Sequence, residues 1–324
     1  MTRRIVVLGG TGFFGAAAVE LLRGGCTVAS RRTGVDVRDV ASLRAFLREG
    51  DVVIDAAGPF HDRGTGLIEA ACGVGADVLD LSDSLAYAER VAATEERVAR
   101  AGIRVLTSCS SVSAIDAAFV RLSGIAKPER VRAFLAPASR RAGRGAVLAS
   151  FFASLARPVR VRRGGALVPV AAWSESRAFA MPAPVGPVRG GLMETADALW
   201  LPRAWPSLRD AEFYVDPRVP LWTVRFPGAR AFSWLGRVFG RVDGGVGAEI
   251  EGGDGAVVRC SLVAGDGAHR IAVAPAVIAA RAIAEGRFEP RGLVPPDRQV
   301  DPDELMSVCA SFGAALRREE GTGR

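Results

Sequence analysis

The stretch IVVLGGTGFFGAAAVELL, residues 5–22, constrains the fold of this chain more than any other. A short β-branched run enters four glycines, Gly9, Gly10, Gly12 and Gly15, and a segment of helical spacing leaves them. Gly10, Gly12 and Gly15 fit the pattern G-x-G-x-x-G, which matters when it follows a strand and opens a helix, as here. One glycine permits the tight turn, one lets backbone N–H groups approach a pyrophosphate, and one lets the helix pack close to the sheet. The helix start adds N–H donors and partial positive charge. Gly9, Gly10, Thr11, Gly12, Phe13, Phe14 and Gly15 are therefore read as a dinucleotide-binding loop. A glycine turn without a ligand is the alternative.

The residues after this turn keep the same rhythm. CTVAS, DVVIDAA, ADVLDLS and IRVLTSC read as strands, separated by helical segments that stop at glycines. LAYAERVAATEERVARAG reads as one long amphipathic helix. Apolar strands alternating with helices predict a parallel sheet covered on both faces, an α/β architecture reaching to about residue 120. The character then changes to short strands with Pro- and Gly-rich turns, an α+β region over residues 121–265. GRGAVLASFFASLA reads as a helix there, DAEFYVD as an antiparallel strand, and GAEIEGGDGAVVRCSLVAG, residues 247–265, as a hairpin around GGDG. Residues 266–324 return to helix.

The second strand bears on the cofactor. An NAD site usually has an acid about 20 residues after the loop, on the ribose hydroxyls. Ser30, Arg31 and Arg32 stand there instead. Two guanidiniums suit a 2′-phosphate through charge-assisted hydrogen bonds, so NADP is expected over NAD. Other chemistries lack their residues. Four residues after Tyr87 and Tyr214 stand Val91 and Arg218, so no Tyr-x-x-x-Lys pair exists. The five cysteines stand singly and there are two histidines, so no metal site is expected. The net charge of +7 rests on arginine, since Lys127 is the only lysine. No groove-reading motif accompanies it, and no nucleic-acid partner is expected. No segment has the length and apolarity of a membrane span, and the chain enters a strand at once, so a cytoplasmic location is expected.

The stretch DVVIDAAGPFHDRGTGLIEAACGVGADVLDLSD, with Ala57-Gly58-Pro59-Phe60, Gly64, Ala71-Cys72, Gly75 and Asp80-Leu81-Ser82, resembles the saccharopine dehydrogenase-like oxidoreductases. The opening GGTGFFG and the ending GLVPPDRQVDPDELMSV are similar to that family as well. The resemblance implies a Rossmann-type NADP-binding domain over 1–120. It also implies an inserted α+β domain over 121–265 for substrate and dimerisation, and C-terminal helices over 266–324 packing back on the first domain. It places Ala57, Gly58, Pro59 and Phe60 beside the dinucleotide. The resemblance also implies that the loop after IRVLTSC, with Ser111, lies near the nicotinamide. That loop departs from the family's C-G-F-D-S-x-P-S-D: it keeps the Asp, as Asp116, and loses the glycine and the proline.

Such enzymes move hydride to or from a carbon bonded to nitrogen, or to an apolar C=C bond, and the protein supplies a proton. His61 and Asp62 are the best-placed titratable pair for that role, a solvated loop histidine being the alternative. Arg140, Arg141 and Arg144, among glycines, suit a substrate carboxylate or simply an exposed basic loop. Asp116 reads as a helix N-cap and His269 as structural. Residues 219–242 read as core and dimer interface, or as a lip touching lipid, and the five tryptophans suggest an apolar pocket. The expectation is an NADP-dependent oxidoreductase acting on a small molecule as a homodimer. The other class is an NADP(H)-binding protein without turnover.

Overall fold

The computed structural model describes residues 2–142, 158–218 and 240–322. Five strands lie in its first third: β1 (Ile5–Leu8), β2 (Thr27–Ala29), β3 (Val52–Asp55), β4 (Asp77–Asp80) and β5 (Arg104–Leu106). Between and after them run α1 (Phe13–Leu21), α2 (Val40–Phe46), α3 (Gly66–Val74), α4 (Leu85–Ala92), α5 (Glu95–Ala101) and α6 (Ala114–Ser123). A second group of strands follows: β6 (Pro128–Ala136), β7 (Val159–Arg163), β8 (Ala166–Val170), β9 (Ser176–Ala180), β10 (Pro187–Met193), β11 (Asp210–Val215), β12 (Gly244–Gly252) and β13 (Ala256–Ala264). With them lie α7 (Ser139–Ala142) and α8 (Asp197–Ala204), and the chain ends in α9 (Ala274–Ala284), β14 (Gly292–Leu293), α10 (Pro302–Ser311) and β15 (Ala315–Thr322).

The first sheet is parallel throughout, in the order β14-β5-β4-β3-β1-β2. The chain steps from β1 outward to β2, then returns to the other side of β1 for β3. Strand order therefore reverses beside β1, and ligands bind at such a switch point, outside the carboxyl ends of the strands. Every residue of β1, β3 and β4 is buried, because both faces are covered. Val7, Ile54, Leu79 and Leu106 pack with α1 and the C-terminal α9, while Val6, Val53, Val78 and Val105 pack with α3 and α4. This fold is α/β, with a Rossmann-type sheet joined to a second sheet.

The second sheet runs β15-β13-β12-β6-β11-β10-β9, with β7 on β11 and β8 on β7. Val131, Ala248, Ile250 and Cys260 turn one face toward α6, α8 and α10. The opposite face carries a row of alternating charge in cross-strand register, Glu319-Arg259-Glu249-Arg132-Glu212. Arg259 is 2.7 Å from Glu249, and Arg132 2.9 Å from it. Opposite charges directly across strands stabilise a sheet.

Three local readings change. The segment 85–101 is two helices, not one: Thr94 Oγ1 donates to the Val91 carbonyl at 2.7 Å, and the break falls there. β11 is antiparallel to β10 and β7 but parallel to β6. The C-terminal segment is not helix alone, since β14 extends the first sheet and β15 the second. β15 hides its strand character behind charges, which keep an edge strand from pairing with other chains. The predicted helix GRGAVLASFFASLA and most of 219–242 lie outside the described residues. Among the described residues no helix is long and apolar enough to cross a membrane.

Candidate functional site

The glycine turn joins β1 to α1 at the switch point. Gly9 has φ +73°, a conformation that excludes most side chains, and its N–H donates to Ala29 O at 2.8 Å. A Cβ on Gly9 would meet the Ala57 backbone at 2.9 Å, and one on Gly10 would meet Val28 at 2.8 Å. A Cβ on Gly15 would lie 2.1 Å from Gly9 O. The turn is thus a cradle that side chains would fill. Gly12 caps α1 without any side-chain hydrogen bond, and the first turn holds no acid. The first amides of α1 have no intrahelical acceptor and no acid beside them in that turn, a fit to a diphosphate. Thr11 and Gly12 are exposed, Phe13 and Phe14 half-buried, and the rings of Phe13 and His269 lie 5.1 Å apart. His269, from a 3₁₀ turn before α9, therefore sits beside the loop, a neighbour the sequence had no local signal for.

β2 ends in Ser30, buried, followed by exposed Arg31 and Arg32 in a 3₁₀ turn. Thr33 Oγ1 accepts from the Ser30 N–H at 2.8 Å and donates to Ser30 O at 2.9 Å, which fixes the turn. Neither arginine has an ion-pair partner among the described residues, so both guanidiniums stand available at the end of β2.

The turn Ala57–Phe60 leaves β3 opposite the glycine loop. The Ala57 N–H donates to Asp55 Oδ1 at 3.0 Å, and Arg63 Nη1 donates to Ala57 O at 2.9 Å. Arg63 is 2.7 Å from Asp55 Oδ2 and lies over the Phe60 ring, which packs on Tyr87. Asp55 stands in register with Asp80, the last residue of β4. Both are completely buried. Asp80 Oδ1 accepts from the N–H groups of Ser82 and Ser108, at 3.0 and 2.9 Å, and so ties together the loops leaving β4 and β5. Reading the sequence missed Asp55, Arg63, Asp80 and Tyr87 as a buried polar group beneath the turn. The available signal was an acid closing each of two apolar strands, VVID and DVLD.

Burial pushes the Asp80 carboxyl up to about 6, against the pull of its backbone donors and with help from Asp55. Unfolded, it ionises near 3.8. The folded chain therefore holds more protons between those values, and stability from this group is lost as pH rises through about 6. The difference is worth about 3 kcal/mol at neutral pH. Asp80→Asn keeps the acceptor and removes the charge. We expect it to be more stable than the parent above pH 6 and level with it near pH 4, by urea unfolding. Parallel pH profiles would contradict this.

His61 and Asp62 follow the turn, with His61 Nε2 3.1 Å from Asp62 Oδ2. Arg90 holds the His61 carbonyl at 2.8 Å, while His61 Nδ1 is buried without a hydrogen-bond partner. Asp62 is largely exposed and, with Val37, Arg38, Arg63, Gly64 and Gly66, lines a cavity of about 330 Å³. Ser111 is half-buried in the loop after β5, and Arg140 lies in α7, after β6, its N–H donating to Arg241 O at 3.0 Å. The side chain of Arg141 and all of Arg144 lie outside the described residues, as do Trp222 and Trp234. Trp200 is core, packed between the two sheets' layers, rather than pocket lining. Asp116 is not the N-cap of α6; Ser113 is, and Asp116 lies in the first turn. Among the described residues no three of His, Cys, Asp and Glu gather as a metal site.

Residues 26–106 match the family model described as the saccharopine dehydrogenase NADP binding domain. No curated protein matches the chain in sequence. Among solved structures, the fold is similar to apo saccharopine dehydrogenase (L-Glu forming) from Saccharomyces cerevisiae, with TM-score 0.57 and 14% identity over 99% of this chain and 100% of that one. A putative oxidoreductase from Magnetospirillum magnetotacticum MS-1 aligns with TM-score 0.43 and 13% identity, over 96% and 99%. GenD2 from gentamicin A biosynthesis, in complex with NAD, aligns with TM-score 0.40 and 17% identity, over 100% and 97%.

Proposed function

We propose that this saccharopine dehydrogenase-like chain is an NADP-dependent oxidoreductase, acting on the C–N bond of an imine or amino acid or on an apolar C=C bond. The observation that carries the reading is the Gly9–Gly15 cradle at the switch point, which any Cβ at Gly15 would close. When bound, the nicotinamide cofactor supplies hydride chemistry. The chain's own residues do the rest. The first amides of α1 hold the diphosphate, and Arg31 and Arg32 meet the 2′-phosphate. Ala57, Gly58, Pro59 and Phe60 wall the dinucleotide. Asp62 engages His61 Nε2, and this pair is the proton carrier for the substrate. Ser111 and Arg140, with Arg141 and Arg144, orient a small-molecule substrate, and two copies pair through the second domain.

Anaerobic incubation with NADPH and a panel of imines and enones, followed at the nicotinamide absorbance, tests the reading. Oxidation by at least one compound class is expected. His61→Gln should then lower kcat by about a hundredfold or more while leaving NADPH binding unchanged. Binding without oxidation across the panel would favour the second reading, a cofactor-holding protein without turnover. One observation speaks for that alternative: Asp116, the acid retained in the loop after β5, is buried and engaged by Asp197 rather than open to the crevice.

A further inference from the structure

Two carboxyl groups from the two halves of the chain meet in a dry place. Asp116 belongs to the first turn of α6, directly after β5, and Asp197 opens α8 beside the second sheet. They are 1% and 2% exposed. Ser113 Oγ donates to Asp197 Oδ1 at 2.8 Å, and Thr195 Oγ1 donates to Asp197 Oδ2 at 3.1 Å. Both hydroxyl hydrogens are thereby spent on Asp197. No N–H or O–H reaches Asp116 Oδ2, whose neighbour is the Asp197 carboxylate, itself an acceptor. An ionised carboxylate is acceptor-only, whereas a protonated one donates. A single proton on Asp116 therefore satisfies its unmatched oxygen, and two like charges in contact away from water do not both ionise.

The same hydroxyl that bonds Asp197 belongs to a strained residue. Ser113 has φ +65° and ψ −58°, and Ser108 at the other end of the loop has φ +54°. Non-glycine residues persist in such conformations only where the surroundings over-determine them. We propose that Asp116 and Asp197 share one proton and act as a positioning pair. They clamp the loop Cys109–Ser113, at the carboxyl edge of the parallel sheet, to the first turn of α8.

The charge environment agrees. Burial first, then the neighbouring charge, holds the Asp116 carboxyl well above the usual carboxylate range, and burial raises Asp197 too. Charged side chains on the packed elements are engaged elsewhere. Arg121 bonds the carbonyls of Asp297 and Val300, and Asp297 faces Arg121 and Arg298. Arg203 pairs with Glu95, Arg160 with Glu89 and Glu194, and Arg163 with Glu212. Arg90 holds the His61 carbonyl, and Glu249 and Arg259 lie in the ladder on the far face of the second sheet. No cation faces the pair among the described residues, so the clamp is lost as pH rises through the raised value.

Infrared spectroscopy of the full chain at pH 8, above the titration of Asp80, reads the proton directly. The spectrum of the parent minus that of Asp116→Asn should show a protonated-carboxyl band. Hydrogen exchange of the amides in 109–113, corrected for the intrinsic pH effect, should rise about tenfold in the parent as pH is raised until that band disappears. In Asp116→Asn, whose amide donates to Asp197 without titrating, it should stay flat, and Asp197→Asn should also flatten it. No band, or the same rise in parent and variants, would overturn the proposal. Thermal unfolding at pH 7 checks that each variant is folded. The measurements use no cofactor, so their outcome is separate from that of the oxidoreductase reading.

Discussion

Gly15→Ala is expected to lose dinucleotide binding, with affinity for NADPH down about a hundredfold or more. The added methyl would sit 2.1 Å from Gly9 O, and its next contacts are also backbone atoms, Gly9 C and Gly10 Cα. No side chain can swing aside to make room. The first turn of α1 must move away from β1, and the amides that open it leave the turn where the diphosphate binds. Fluorescence titration with NADPH measures the loss, and far-UV circular dichroism with thermal unfolding checks that the sheet survives. A folded variant with parental affinity would remove the glycine turn from the binding site and with it the basis of the enzymatic reading.

Replacing both Arg31 and Arg32 by alanine is expected to weaken NADPH binding by about tenfold or more and to leave NADH binding nearly unchanged. Hydrogen bonds to charged groups are worth about 1.5–3 kcal/mol each, and about 1.4 kcal/mol is tenfold. Both side chains are exposed, so solvent holds the effect toward the low end of that range. Because the two sit on a 3₁₀ turn whose geometry Thr33 maintains, the substitution removes charge without disturbing β2. Titrations of both cofactors at two salt concentrations read the outcome. Equal losses for NADPH and NADH would contradict a 2′-phosphate role and return the choice of cofactor to NAD.

Much of the first domain was readable residue by residue. Each of its strands is a short apolar run, and three helix stops near them are glycines: Gly75, Gly102 and Gly124 all take positive φ at helix ends. The break at Thr94 escaped notice because the hydrophobic period continues across it from α4 into α5. β11 was readable as a strand, but its parallel partner β6 lies on the far side of four intervening strands in the chain. β15 was not readable, since ALRREEGT carries the composition of a solvated helix or tail.

The candidate site divides along the same line. The cradle Gly9–Gly15, the turn Ala57–Phe60 and the arginines after β2 are contiguous motifs, so their chemistry shows in one dimension. The Asp55–Arg63–Asp80 group and the Asp116–Asp197 pair depend on strand register and on which helix meets which loop.

Residue order alone therefore dictated the alternation of strands and helices and the glycine turn that opens them. Backbone sterics and side-chain period act over a few neighbours, and any chain with these residues must obey them. The tertiary packing decided which carboxyl groups lose water together, which arginine neutralises one of them, and which must keep a proton. Desolvation and charge pairing depend on distances between residues far apart in the chain, and those distances exist only once the two sheets have closed on each other.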